Sequence, residues 1–152
     1  MTEDEALSCA GAYNIVMVAL MPSRTVSVSI ARTPEEVYEF IITLENLPRW
    51  APAFARSVTK SGNEWMVETS DGPMRIQFVA RNPFGVADHR VTVHPGLEIL
   101  NPMRVLANGD GAEVLFTLFQ APDTSAEKFA ADSGLVERDL QTLKRVLETR
   151  EG

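Results

Sequence analysis

Thiol and imidazole chemistry is scarce in this chain of 152 residues, which has a single cysteine and two histidines. Cys9 has no partner for an intramolecular disulfide, so a reduced compartment, the cytoplasm, is the expected setting. His89 and His94 stand five apart on a strand-like run and face opposite ways, which is wrong for a shared metal. No metal or other cofactor is expected. Positive charge is also thin: 14 Lys and Arg against 21 Asp and Glu leave a net charge of −7. That balance argues against a phosphate-binding surface, since nucleic-acid affinity rests largely on clustered Lys and Arg. The apolar run Ala12–Met21 is broken by Tyr13 and Asn14 and is too short to span a membrane. Glu3, Asp4 and Glu5 precede it, whereas a secretory signal opens on positive charge. No phosphate-cradling glycine loop, Gly-x-Ser-x-Gly elbow, internal repeat or low-complexity linker occurs. Residues 1–23 are expected to be a dispensable extension and residues 24–149 a single domain.

What the chain does have is alternation. Val26, Val28 and Ile30 alternate with Ser27, Ser29 and Ala31, the period of a half-buried strand. Thr33-Pro34-Glu35-Glu36 then reads as a helix start, with Thr33 as N-cap, Pro34 at the first position and Glu36 placed for a capping box. Val37, Phe40, Ile41 and Leu44 make that helix's apolar stripe. Trp50 follows between Pro48 and Pro52, a bulky anchor in a segment expected to be non-helical. Strands are expected over 54–61, 64–69, 74–81, 86–94, 97–107 and 113–120, with turns at Gly62-Asn63, Asn82–Gly85, Pro95-Gly96 and Asn108–Gly111. Pro102 inside its strand predicts an edge or a bulge. Seven strands with short connections favour an antiparallel meander. A final helix opens at Asp123-Thr124-Ser125, with Thr124 and Glu127 spaced as a second capping box. It carries Phe129, Val136, Leu140, Leu143 and Leu147 on one face.

The strings Pro34–Phe40, Asn46–Trp50, Asn82–His89 and Pro102-Met103-Arg104 resemble the START/SRPBCC superfamily, particularly its bacterial polyketide cyclase-like members. The resemblance implies an α+β helix-grip fold, a curved antiparallel sheet of six to seven strands wrapped around the long C-terminal helix. It also implies an apolar ligand cavity between sheet and helix. Cys9 lies outside the matched stretch, which argues against a cysteine nucleophile.

Alternation puts His89 with Ala87, Val91 and Val93, so His89 is expected to point into the grip, while Asp88 and Arg90 decorate the solvent face. An imidazole there could exchange a proton with a bound carbonyl compound, or simply be a hydrogen-bonded core residue. Asn101 and Arg104 are candidate polar ligand contacts, although mixed faces on their strand leave inward and outward open. Tyr38 and Trp50 are expected near the cavity mouth. Phe78, Val91, Met103, Val136 and Leu140 complete the expected lining. The favoured reading is a module that binds a small hydrophobic molecule, lipid-like or aromatic. The alternative is a cyclase, aromatase or dehydratase using His89 as acid/base. The expected partner is that small molecule, with a homodimer left open.

Overall fold

Strand β1 (Ser23–Ile30) follows the expected alternation, burying Val26, Val28 and Ile30 and exposing Ser27 and Ser29. This computed structural model describes residues 18–149, so residues 1–17 of the expected extension, Cys9 among them, lie outside the described residues. Helix α1 (Pro34–Ile42) begins as read: the Thr33 side chain accepts the Glu36 N–H at 3.2 Å and Pro34 takes the first helical position. Val37, Phe40, Ile41 and Leu44 are buried.

The segment around Trp50 corrects the sequence reading. After a 3-10 turn (Leu44–Asn46) the chain forms helix α2 (Leu47–Trp50). Pro48 sits in the first turn, where a missing N–H breaks no helical bond, so one turn is tolerated between the prolines.

Strands β2 (Ser57–Ser61), β3 (Glu64–Thr69), β4 (Gly72–Phe78), β5 (His89–His94), β6 (Leu97–Asn101), β7 (Met103–Asn108) and β8 (Gly111–Phe119) follow. They build two antiparallel sheets, ordered β1-β8-β7 and β2-β3-β4-β5-β6. There are eight strands instead of the expected seven, because Pro102 divides the run 97–107 into β6 and β7. The two sheets nonetheless continue into one another. His89 pairs with Asn101, and three residues back along one strand and three forward along the other, Val86 bridges Arg104 in the same register. The second departure is that β5 starts at His89, not Val86. Residues 85–87 instead bond along β7, through Val105 N–H to Gly85 O and Ala87 N–H to Met103 O, both 2.8 Å. Gly85 is the residue that permits this: its φ is +71°, and a Cβ there would run into the Val105 carbonyl oxygen.

Helix α3 (Ala126–Thr149) packs on β1, β8 and α2. Its cap is Ser125, whose hydroxyl accepts the Lys128 N–H at 3.0 Å; the capping box expected at Thr124 and Glu127 is one residue out of step. Leu140, Leu143 and Leu147 are buried, whereas Phe129 and Val136 are only half-buried. Between them Ser133 is fully buried, its hydroxyl donating to the Phe129 carbonyl at 2.9 Å. Helix, strands and α1 share one hydrophobic core. The architecture is the α+β helix-grip.

Candidate ligand-binding site

Register brings three of the expected residues into one row. Phe78 of β4 lies opposite His89 of β5, which lies opposite Asn101 of β6. Residues directly opposite in antiparallel strands share a face, so all three project from the face that holds buried Val91 and Ile76. The Phe78 ring centroid stands 4.8 Å from the His89 ring, and Phe116 of β8 lies edge-on to it at 5.6 Å. Alternation along β8 (Ala112, Val114, Phe116) carried the signal for Phe116, which is absent from the expected lining.

His89 is buried and both its ring nitrogens are engaged. Nδ1 is 3.1 Å from the Ala87 carbonyl oxygen. A carbonyl can only accept, so Nδ1 carries the proton and Nε2 is left as an acceptor. Nε2 faces the Asn101 amide nitrogen at 3.5 Å. Burial pushes the imidazole below the usual histidine range, against the opposing pull of the Ala87 carbonyl and the Asp88 carboxylate. At neutral pH the ring is therefore uncharged.

Its neighbour Asp88 does more than decorate a solvent face, which corrects the sequence reading. One carboxylate oxygen accepts the Met103 N–H at 2.9 Å and Arg104 Nε at 3.1 Å; the other accepts Arg104 Nη2 at 2.9 Å. Asp88 thus bonds a backbone group beside the break at Pro102, and the Arg104 hydrogen bond holds its carboxyl below the usual range. Arg104 is exposed and tied to Asp88, on the face opposite Met103, which is fully buried across from Phe116. The only sequence signal for this pair was the proline itself, which withholds an N–H and disturbs the ladder.

The next row of the inner face is Trp65, Ile76, Val91 and Ile99. Val91 is buried, but Ile99 is 44% and Leu97 39% exposed. This end of an apolar face is left uncovered, beside the polar groups of His89 and Asn101.

Tyr38, Trp50 and Arg104 do not join the row. Tyr38 is buried and its hydroxyl accepts the Asn82 N–H at 3.0 Å. Asn82, unmarked in the sequence beyond its turn, ties the loop with its side chain. Its amide nitrogen donates to Ala80 and Val86 carbonyls, and its oxygen accepts the Phe84 and Val86 N–H groups. An open groove of about 710 Å³ runs between α1 and this loop, lined by Tyr38, Phe84 and Leu106, outside the grip and away from His89. Trp50 is core, its indole N–H buried without a protein partner among the described residues. On α3, Leu140 is core and Val136 packs at its margin. Next to Leu140, Asp139 is buried and accepts the Ala53 N–H at 3.0 Å, clasping the helix to the chain after α2. Burial raises its carboxyl to about 6, against the hydrogen bonds from Ala53 and Phe54 N–H. Nothing in the amphipathic pattern distinguished Asp139 from the helix's solvated acids.

No group of three or more metal-ligating side chains occurs among the described residues, and no described helix is long and apolar enough to cross a membrane. Residues 21–148 match the family of polyketide cyclase/dehydrase and lipid-transport proteins. The chain belongs to this family. Among solved structures it is similar to an uncharacterized protein of Bacillus thuringiensis, with TM-score 0.66 and 18% identity over 82% of this chain and 98% of the other. It is also similar to XoxI from Bacillus cereus, with TM-score 0.65 and 19% identity over 86% and 100%. The Aha1 dimer from Colwellia psychrerythraea gives TM-score 0.67 and 15% identity over 87% and 100%. A comparison with curated proteins finds no match. At these identities the structures share the fold alone, while family and fold together indicate a polyketide cyclase/dehydrase-like domain of the hydrophobic-ligand-binding type.

Proposed function

We propose that the protein binds a small hydrophobic molecule in the grip, against the β4–β6 face and the first half of α3. The observation that carries this reading is the uncovered end of the inner face. Leu97 and Ile99 are exposed in line with the buried Val91 and beside the Phe78–His89–Asn101 row. An apolar surface ending on a few convergent polar groups is the usual composition of a small-molecule site. Phe129 and Val136, half-buried on the first half of α3, are the helix's apolar contribution on this reading.

Binding is favoured over acid/base catalysis by the state of His89. Its Nδ1 is held by the Ala87 carbonyl and not by an acid, and the adjacent carboxylate, Asp88, is engaged with Met103 and Arg104. A catalytic imidazole is usually oriented and made more basic by an acid, which His89 lacks.

Native mass spectrometry of the freshly purified protein is expected to show a co-purified species of small mass, or uptake of an added apolar probe. Ile99→Asp changes an exposed position, so the fold should survive while probe affinity falls about tenfold or more. A folded Ile99→Asp variant that binds the probe like wild type would move the site elsewhere.

A further inference from the structure

Resting on that reading, we infer that the grip selects a neutral apolar molecule bearing a hydrogen-bond donor, a phenol or alcohol, and discriminates against carboxylates. The first ground is the tautomer. The Ala87 carbonyl, 3.1 Å from Nδ1, assigns the proton to that nitrogen and leaves the Nε2 lone pair facing the grip. Its present partner, the Asn101 amide nitrogen, is at 3.5 Å, longer than a good N–H···N or N–H···O contact. That weak donor is replaceable. A hydroxyl reaching Nε2 at normal length would restore a full hydrogen bond to a buried acceptor, whereas a carboxylate would set lone pair against lone pair.

The second ground is the absence of buried cations among the described residues. The buried polar and charged side chains are Thr69, His89, Ser133 and Asp139. Thr69 and Ser133 already spend their hydroxyl protons on the Gly72 and Phe129 carbonyls. The Trp50 N–H is a neutral donor on α2. Asp139 brings negative character. An anion entering this interior would lose hydration with no opposite charge to offset it. The third ground is shape: the Phe78 and Phe116 rings stand 4.8 and 5.6 Å from the imidazole, so the surroundings of the polar group are aromatic, which suits a flat ring carrying the hydroxyl.

Three naphthalenes of similar size separate these terms: 2-naphthol, 2-naphthoate and 2-methylnaphthalene, titrated calorimetrically into the full chain at neutral pH. The naphthol is expected to bind about tenfold tighter than the methyl compound, the worth of one hydrogen bond, and the naphthoate weakest. His89→Phe should erase the preference for naphthol over methylnaphthalene. Asn101→Ala, at a partly exposed position, should raise it severalfold by removing the competing amide. Long-range 15N correlation spectra should show His89 protonated at Nδ1 alone, with and without naphthol. Naphthoate matching naphthol, an Nε2–H tautomer, or Asn101→Ala abolishing the preference would each overturn the inference. Methylnaphthalene binding as well as naphthol would overturn it while leaving the ligand-binding reading standing. If none of the compounds binds, both fall.

Discussion

Two carboxylates show how burial and partners pull a residue in opposite directions. Asp88 finds a guanidinium and a backbone N–H, and its acidity increases. Asp139 loses water with backbone N–H groups and the weaker pull of Arg138 in return, and its carboxyl rises from 3.8 to about 6. A raised acid holds its proton more tightly in the native state than in the unfolded chain. Its penalty is therefore absent below about pH 4 and develops as pH rises through 6. Asp139→Asn keeps an oxygen for the Ala53 N–H and removes the charge. The variant should match wild type in chemical denaturation at pH 4 and exceed it at pH 8, by up to about 3 kcal/mol from the size of the shift. Parallel stability curves for the two proteins across that range would contradict this account. Neither acid's partner was legible in the sequence, because charge alone does not say which strand or helix face meets another segment's backbone.

At the scale of elements, the local signals were largely sufficient where the partner lay a few residues away. Thr33, Pro34 and the Val37–Phe40–Ile41 stripe made α1 legible, and Gly62-Asn63 joins β2 to β3 as a two-residue turn. The start of α3 was missed by one position, since Thr124 and Ser125 are both good caps and only the backbone geometry selects Ser125. Ser125→Ala should cost about 1 kcal/mol in urea denaturation, and Thr124→Ala clearly less. The reverse order would restore Thr124 as the cap. The run 97–107 was read as one strand with mixed faces. Pro102 ends β6 and starts β7 without changing the phase: Ile99, Asn101, Met103 and Val105 keep the inner face, and Leu100, Arg104 and Leu106 the outer one.

For the whole molecule, the question is where the folding unit begins. The β1–β8 ladder opens with Ser23 opposite Phe119, and Pro22 O accepts the Gln120 N–H at 2.8 Å. The family match starts at residue 21. A chain beginning at Met21 keeps every one of those contacts and should melt within a few degrees of the full chain. A chain beginning at Val28 would forfeit five of the eight residues of β1, including buried Val26, and should fall well below it. A large loss on starting at Met21 would instead assign part of the core to the segment before it.

By itself the sequence determined β1, α1, the run of short strands and the long last helix with its Leu140–Leu143–Leu147 stripe, and the inward aim of His89. Each of these depends on periodicity or on residues within a turn of one another. Tertiary structure alone decided what those side chains meet. It turned the Tyr38 hydroxyl to the Asn82 backbone, Arg104 outward to Asp88, and Phe116 onto the His89 ring. It also left Leu97 and Ile99 uncovered beside buried Val91. These outcomes are set by cross-strand register and by the path of α3, which join residues far apart in the chain, and no local pattern encodes that distance.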